Sequence, residues 1–309
     1  MKQKYYSKII KNNYSLSKNN YQKASEYIGI CNLSHLDKLT IYGPKVQEII
    51  NKFSIRDVTK IQDKSFFTVF LKNKDHSNRK YLGEAQVIKL NNYKYLLVGE
   101  NLISLEKALN KNKKKYSLIT IENVTKEYSF FAFHGKLAKN FFTAYDNPYI
   151  IEVNNQGYKY FTMIASHLDK FEILNNYKNL RFEEISVDIH NTFLHHHNVL
   201  TDLHFIKNKN LLLVLSLIYD IDNIKPNKTI TDRNKNYKIK QFEATRNLIV
   251  TRKMIIYNPN RKKVGYIHNY YRLPNNKFPY VLGIINNKLN NNVGLLKVNK
   301  TDIIIKEVD

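Results

Sequence analysis

The sequence predicts an α+β fold, in which an α/β region of two lobes is followed by an antiparallel β-barrel. Two observations predict it. Strand-like and helical segments alternate along the first part of the 309 residues, and from about residue 211 short apolar runs follow one another between clusters of Asn, Pro and Lys. Short strands with regularly spaced turn residues are typical of a small barrel. With 43% hydrophobic residues the chain can bury a sizeable core.

The stretch GICNLSHLDKLTIYGPKVQEII, residues 29–50, predicts strand, turn and helix in that order. Pro44 supplies the fixed φ that suits the first position of a helix, where a missing N–H costs nothing. The residues after it have apolar side chains at helical spacing, which predicts one stripe packed on a sheet: Val46, Ile49, Ile50 and Phe53. Gly43 is not followed by a phosphate-binding glycine pattern. We therefore interpret this stretch as scaffold.

The remaining elements of the first part follow from the same patterns. Strands are predicted at 65–73, 85–99, 116–125 and 128–135, with a hairpin turn at Asn91-Asn92. Helices are predicted in LISLEKALNK after Asn101 and in KLAKNFFTAY after Gly135, which repeats the order strand, glycine, helix.

Short strands are predicted in the last third of the chain in LLLVLSLIY, RNLIVTRKMIIYN, KKVGYIHNYY, YVLGIIN, VGLLKV and DIIIKEV. We place the boundary so that 1–207 forms the two lobes and 208–309 the barrel.

The charge of the chain is strongly positive. Lys and Arg number 50 against 26 acidic residues, a net charge of +24, which is compatible with a nucleic-acid partner. The chain is also rich in Asn, Lys, Ile and Tyr and holds only 9 Gly and no Trp, a drift that AT-rich codons produce. Nucleic-acid binding is therefore an alternative that we do not favour.

The single cysteine, Cys31, excludes a disulfide within the chain and any multi-cysteine metal site built from it alone. A reducing compartment is expected: the cytoplasm, with the mitochondrial matrix as the alternative. No apolar run approaches the length of a membrane span, so we expect no membrane partner. Residues 190–204 hold five histidines, but no zinc-binding spacing with a carboxylate or cysteine partner accompanies them, and we expect no metal.

Several segments, taken in order, resemble one family. They are YIGICNLSHLDKLTIYGPKVQEIINKFSIRDVTKI, YKYLLVGEN, YSFFAFHGKLA, NLRFEE and KKVGYIHNYYRLP. Together they resemble the aminomethyltransferase family, the T-protein of the glycine cleavage system and its folate-binding relatives, over nearly the whole chain. The resemblance implies a three-lobed fold, two α/β lobes plus the C-terminal antiparallel barrel around a central channel, with tetrahydrofolate as the cofactor.

The resemblance also implies site residues. RKYLGEA matches the family segment whose Asp steers protonation of the folate amine, which assigns that role to Glu84. Asn101 falls in the folate-contacting segment. EVNNQGYKY matches the segment that holds the pterin, which places Glu152 and Lys159 there. Lys159 is a departure from the family, because an ammonium has donors only and cannot accept from the pterin as a carboxylate does.

The resemblance implies that Lys178 or Arg181 contacts the glutamate tail of the folate, because a cation is the expected partner of its carboxylate. Tyr177 stands where the family has an arginine. The alternative to tetrahydrofolate binding is therefore that this chain binds a different ligand or none. Ser34, His35 and Lys38 match the family's Ser-His motif. Since no nucleophile and carboxylate partner for His35 is identifiable, we interpret it as a hydrogen-bonded core residue. One histidine of 190–204 lining the channel is a further alternative.

Three functions remain open on this reading. The first is a tetrahydrofolate-dependent one-carbon transferase that takes a small methylamine-type donor or a lipoyl carrier protein. The second is a noncatalytic accessory protein for iron–sulphur or tRNA-modification enzymes, although the cysteine of that branch's K-G-C-x-x-G-Q-E motif is lacking after residue 31. The third is a basic nucleic-acid-associated module. The oligomeric state is not indicated.

Overall fold

The computed structural model describes residues 20–61, 64–73, 80–116, 118–144, 150–166, 169, 182–201, 237–246, 254–273, 276–286, 293–298 and 301–308. Strands predominate over short helices in these residues, and the predicted α+β class is confirmed.

The strands are β1 (Ile28–Asn32), β2 (Asp37–Tyr42), β3 (Ser65–Lys72), β4 (Lys80–Asn91), β5 (Lys94–Gly99), β6 (Thr120–Asn123), β7 (Tyr128–His134), β8 (Ile150–Asn155), β9 (Tyr158–Ser166), β10 (Phe182–Ile185), β11 (Tyr237–Ala244), β12 (Ile255–Tyr257), β13 (Lys263–Tyr271), β14 (Tyr280–Asn286), β15 (Val293–Val298) and β16 (Thr301–Glu307). The helices are α1 (20–26), α2 (Val46–Phe53), α3 (Ile103–Lys113), α4 (Lys136–Ala144) and α5 (Val187–His196).

Ten of the described strands form one sheet in the order β10-β1-β7-β9-β8-β3-β4-β5-β2-β6. We call β3, β4, β5, β2 and β6 the first half-sheet, and β8, β9, β7, β1 and β10 the second half-sheet. The two halves meet where β3 runs parallel to β8, and the register there pairs Phe66 with Asn154. The two α/β lobes are therefore halves of one continuous sheet.

The first half-sheet is built around the predicted strand, glycine and helix. The four predicted side chains of α2 are all buried against the sheet. Gly43 has φ +138°, and a Cβ at this position would lie 2.1 Å from the backbone oxygen of Leu118. A side chain is excluded here both by the backbone conformation and by the space, which explains the glycine.

The second half-sheet uses the same arrangement. Gly135 follows β7 at φ +104°, and a Cβ there would lie 2.2 Å from the backbone oxygen of Ala24. α4 begins directly after it and packs Ala138 and Phe142 into an aromatic cluster with Phe133 of β7. The predicted repeat of strand, glycine and helix is confirmed.

The predicted C-terminal barrel is present, in the order β11-β14-β13-β12-β15-β16. β11 closes it by pairing with β16, with Phe242 opposite Glu307. Strand β11 was not predicted, because its sequence YKIKQFEA alternates with charged residues and follows a long polar stretch. The predicted strand LLLVLSLIY and the proposed boundary at residue 207 lie outside the described residues.

The barrel packs against the first half-sheet through β3. Val69 and Leu71 of this strand share one apolar cluster with Leu282 and Ile284 of β14, and all four side chains are fully buried. The barrel and the two half-sheets thus meet close to the line along which the halves join. Among the helices of the described residues, none combines the length and the apolar character needed to cross a membrane.

Candidate functional site

A cavity of about 120 Å³ lies between the two half-sheets, and we call it the central cavity. β4 and β5 line it from the first half-sheet, β7, β8 and β9 from the second, and α5 and the turn after β1 complete the wall. One buried water needs roughly 10–15 Å³ of such space, so about ten waters fit. Ten waters correspond to ~300 Å³ of liquid, the lower end of the range for small-molecule sites.

Two carboxylates line this cavity. Glu84 stands on β4, opposite Val69 of β3, and is half-buried. Glu100 follows β5 directly and is exposed at the rim. Of the residues assigned from the family motifs to catalysis or folate contacts, Glu84 is the one within the described residues that lines the cavity. Glu100 was missed, although it is the next residue after a predicted strand, a usual position for a functional side chain.

Two buried amide oxygens also line the cavity. The side-chain nitrogen of Gln86 donates to Ser65 Oγ at 2.7 Å and to Thr162 Oγ1 at 3.0 Å, which fixes the orientation of the amide. Its Oε1 is buried and accepts no hydrogen bond within the described part of the chain, and the same holds for Oδ1 of Asn155 on β8. Both oxygens can accept from a ligand that enters the cavity.

A chain of buried hydrogen bonds leads away from the cavity through the second half-sheet. His190 of α5 lines the cavity, and its Nδ1 lies 2.7 Å from Nε2 of His134 on β7. Nδ1 of His134 lies 2.9 Å from the hydroxyl of Tyr158. His134 and His190 are 1% and 6% exposed.

Burial lowers the pKa of His190 to about 3, and the nearby His195 and His35 lower it further. Burial, with His190 and His197 nearby, also holds the pKa of His134 well below its usual value. Both rings are therefore neutral at physiological pH. Since a neutral imidazole donates from one nitrogen and accepts at the other, the chain runs in one direction at a time.

The turn after β1 is held by a buried lysine. Lys38 is 0% exposed, and its ammonium donates to the backbone oxygens of Ser34 at 2.9 Å and Leu36 at 2.8 Å. Burial lowers the pKa of Lys38 to about 8, against the opposing effect of Asp37. The turn presents His35 to the cavity. The prediction that His35 is a core residue is wrong, because its side chain is exposed; the buried polar residue of this motif is Lys38.

Two of the assigned pterin contacts lie elsewhere. Asn101 is exposed, at φ +52°, next to the start of α3, and is not a lining residue. Glu152 is exposed and forms an ion pair of 3.1 Å with Lys159. Successive side chains of a strand point to opposite faces, so Val153 and Asn155 face inward and Glu152 faces outward. Lys178 and Arg181 lie outside the described residues.

The histidines of α5 have different surroundings. His190 lines the cavity, which confirms the alternative given for this segment. His195 instead connects α5 to the barrel: its Nε2 lies 3.0 Å from Thr201 Oγ1 and 2.7 Å from the side-chain nitrogen of Asn269. His204 is outside the described residues, within which no group of three or more His, Cys, Asp or Glu side chains is placed to hold a metal.

A solved structure has the same architecture. It is the glycine cleavage system aminomethyltransferase T from Bartonella henselae, with a TM-score of 0.64 over 95% of this chain and 88% of that one, at 11% identity. Heterotetrameric sarcosine oxidase from Corynebacterium sp. U-96 matches 52% of this chain and 88% of that one at 11% identity, with a TM-score of 0.33 that carries no weight. No protein-family model matches this chain, and no curated protein matches it in sequence.

The fold is therefore that of an aminomethyltransferase-like protein, as the sequence motifs implied. At 11% identity the likeness to aminomethyltransferase T shows the fold alone.

Proposed function

We propose that this chain is a divergent tetrahydrofolate-dependent one-carbon transferase that holds the pterin of the folate in the central cavity. The observation that carries the proposal is a set of three acceptor groups that line the cavity from the two half-sheets: the carboxylate of Glu84 and the amide oxygen of Gln86 on β4, and the amide oxygen of Asn155 on β8. The aminomethyltransferase-like fold supports a transferase of this kind at the level of the fold.

The acceptors fit the donor edge of a pterin. A buried polar group without a hydrogen bond costs about 1–3 kcal/mol, which a ligand that donates to Gln86 and Asn155 would recover. In the family this role belongs to a carboxylate on the hairpin between β8 and β9, where this chain has Lys159. Asn155, on the inward face of the same hairpin, offers an acceptor in its place.

Tetrahydrofolate, when bound, supplies the amine that receives the one-carbon unit. Glu84 is the group that holds or moves a proton at this amine, since it is the half-buried carboxylate of the cavity. Glu100 at the rim attracts a protonated methylamine-type donor or the aminated arm of a lipoyl carrier protein. His190 contributes a neutral ring, so it adds no positive charge that would repel such a donor.

The proposal is tested first by binding. Calorimetry with tetrahydrofolate and its 5-methyl and 5-formyl forms should give saturable binding, and a ligand at 100 times its Kd should add about 2.7 kcal/mol to the free energy of unfolding. Asn155→Leu should weaken the affinity about tenfold or more, because one acceptor is lost. If none of these folates binds and the chain binds RNA with an affinity that falls steeply with salt, the nucleic-acid alternative is favoured instead.

Turnover tests the role of Glu84. Glu84→Gln preserves size and removes the charge, so folate affinity should stay within a few-fold while one-carbon transfer falls by about 10² or more, as expected of a proton-handling group. Glu152→Gln is the matched control, because this carboxylate lies outside the cavity and pairs with Lys159; its turnover should equal that of the unmutated chain. Equal turnover in both variants would remove Glu84 from the mechanism. Folate binding without turnover in the unmutated chain would favour the noncatalytic accessory function.

A further inference from the structure

A second and larger cavity lies on the other side of α5. Its volume is about 690 Å³, more than five times the 120 Å³ of the central cavity. α4 and β9 form two of its walls, the end of α5 a third, and Leu273 and Asn276 reach it from the barrel. We call it the lateral cavity. Nothing in the proposed transferase chemistry uses it.

The wall of the lateral cavity is aromatic. The rings of Tyr158 and His197 stack with centroids 4.1 Å apart and planes at 8°, and Tyr21 stacks on Phe193 at 4.6 Å and 26°. Stacked faces of this kind offer a planar surface to a flat ring in a ligand. Contacts between aromatic rings contribute about 0.5–1.5 kcal/mol beyond the area that they bury.

The charge of the lateral cavity has one sign. Lys136 and Lys139 stand on the first turn of α4 and Lys159 on β9, and all three are exposed at the rim. No Asp or Glu is found among the lining residues that the structure describes. Lys159 also forms an ion pair of 3.1 Å with Glu152, and Lys136 and Lys139 add positive charge at α4. Concave surfaces that carry charge of one sign attract small ions of the other.

The floor of the lateral cavity is polar. Tyr158 and His134 both line it, and the 2.9 Å hydrogen bond between the Tyr158 hydroxyl and His134 continues to His190. A few fixed polar groups within a largely apolar wall are what orient a small molecule in a binding site.

We propose that the lateral cavity is a second ligand site, which binds a small molecule that combines a flat aromatic ring with an anionic phosphate or carboxylate. The ring lies against Tyr158 and His197, and the anion meets Lys136 and Lys139. α5 and the His134–His190 pair stand between this site and the central cavity, and Tyr160 lines both.

Calorimetry at low salt tests the proposal with four probes: adenosine 5′-monophosphate, 4-hydroxybenzoate, adenosine and inorganic phosphate. At least one of the two probes that carry both a ring and an anion should bind tenfold or more tightly than adenosine or phosphate alone. Tighter binding of adenosine 5′-monophosphate than of adenosine would assign the anion as phosphate, and binding of 4-hydroxybenzoate without adenosine 5′-monophosphate would assign it as carboxylate. Binding of neither would overturn the proposal. Phosphate binding as tightly as either would overturn the proposal, because the aromatic wall would then contribute nothing.

Variants locate the binding. Lys136→Gln/Lys139→Gln should weaken the bound probe about tenfold, and Tyr158→Leu should weaken it by a similar factor through loss of the stacked ring. Lys107→Gln/Lys111→Gln is the matched control, since it removes the same charge from exposed positions of α3. Equal losses in the two double-lysine variants would show a general charge effect and refute the site. Displacement of the probe by one equivalent of tetrahydrofolate would also refute it, by placing the probe in the folate site.

Discussion

The two half-sheets share a backbone plan but differ in what they bury. In each, a strand ends at a glycine of positive φ, Gly43 or Gly135, and a helix begins within three residues of it. The first half-sheet packs α2 and α3 on a largely aliphatic core. The second buries His134 and His190, with the aromatic ring of Tyr160 beside them. The shared plan is therefore scaffold, and the two halves differ in the polar groups that they bury.

The largest expected effect tests the shared plan. Gly43→Ala and Gly135→Ala should each lower the free energy of unfolding by about 3 kcal/mol, because an alanine would be strained at that φ and would contact a backbone oxygen. Urea denaturation measures both. Pro44→Ala, at an exposed neighbouring position, is the control and should cost well under half as much. A cost at Gly135 far below that at Gly43 would show that the two halves are not equivalent.

The next effect sharpens the difference between the halves. The pKa values of His134 and His190 are lowered by burial, whereas in the unfolded chain a histidine titrates near 6.5. As the pH falls below about 6.5 the unfolded chain binds protons that the folded chain does not, so stability is lost. From pH 7 to pH 5.5 the loss should be about 1 kcal/mol for each buried histidine.

Urea denaturation at the two pH values checks this loss. His134→Gln/His190→Gln should remove about 2 kcal/mol of this loss, the share of these two rings. The part that remains belongs to His196 and His197, whose pKa values burial also lowers. Should the double variant fail to fold, nitrogen NMR of the unmutated chain gives the same answer, since both rings should remain neutral at pH 5.5. A stability that does not change between pH 7 and pH 5.5 would contradict the prediction.

The smallest effect concerns the turn that faces the central cavity. Lys38→Met removes the ammonium that donates to Ser34 and Leu36, but the methionine is cheaper to bury than a charged lysine. The net loss of stability should be only about 1 kcal/mol. The free energy of folate binding should fall by more than the free energy of unfolding does, because the turn carries His35 and Leu36 into the cavity wall. A variant with unchanged affinity would show that the turn needs no lysine to keep its shape.

Much of the fold could be predicted from the sequence because its signals are local. The stripe of α2 and the glycines before α2 and α4 are encoded within a few residues, and the strands of the barrel stand between clear turn residues. β11 was missed because Lys238 and Lys240 interrupt its apolar pattern.

The candidate site was predicted less well, because it depends on which face of a strand a residue occupies. Glu84 could be placed by its motif. The inward residue of the β8–β9 hairpin could not be placed, because a shift of one residue along a strand moves every side chain to the opposite face. The motif assigned Glu152, which faces outward, whereas Asn155 faces inward. Gln86 and His190 belong to no motif, and they come to the cavity only through packing between distant parts of the chain.

The seam between the half-sheets has a consequence for hydrogen exchange. Within the described residues the register pairs β3 with β8 only at Phe66 and Asn154, whereas β3 pairs with β4 along most of its length. Amides at the seam should therefore exchange with solvent at a lower opening free energy than those inside either half, and the halves should behave as two cooperative units. A molecule that contacts Gln86 on one side and Asn155 on the other would join these units, and slower exchange at Phe66 would report its arrival.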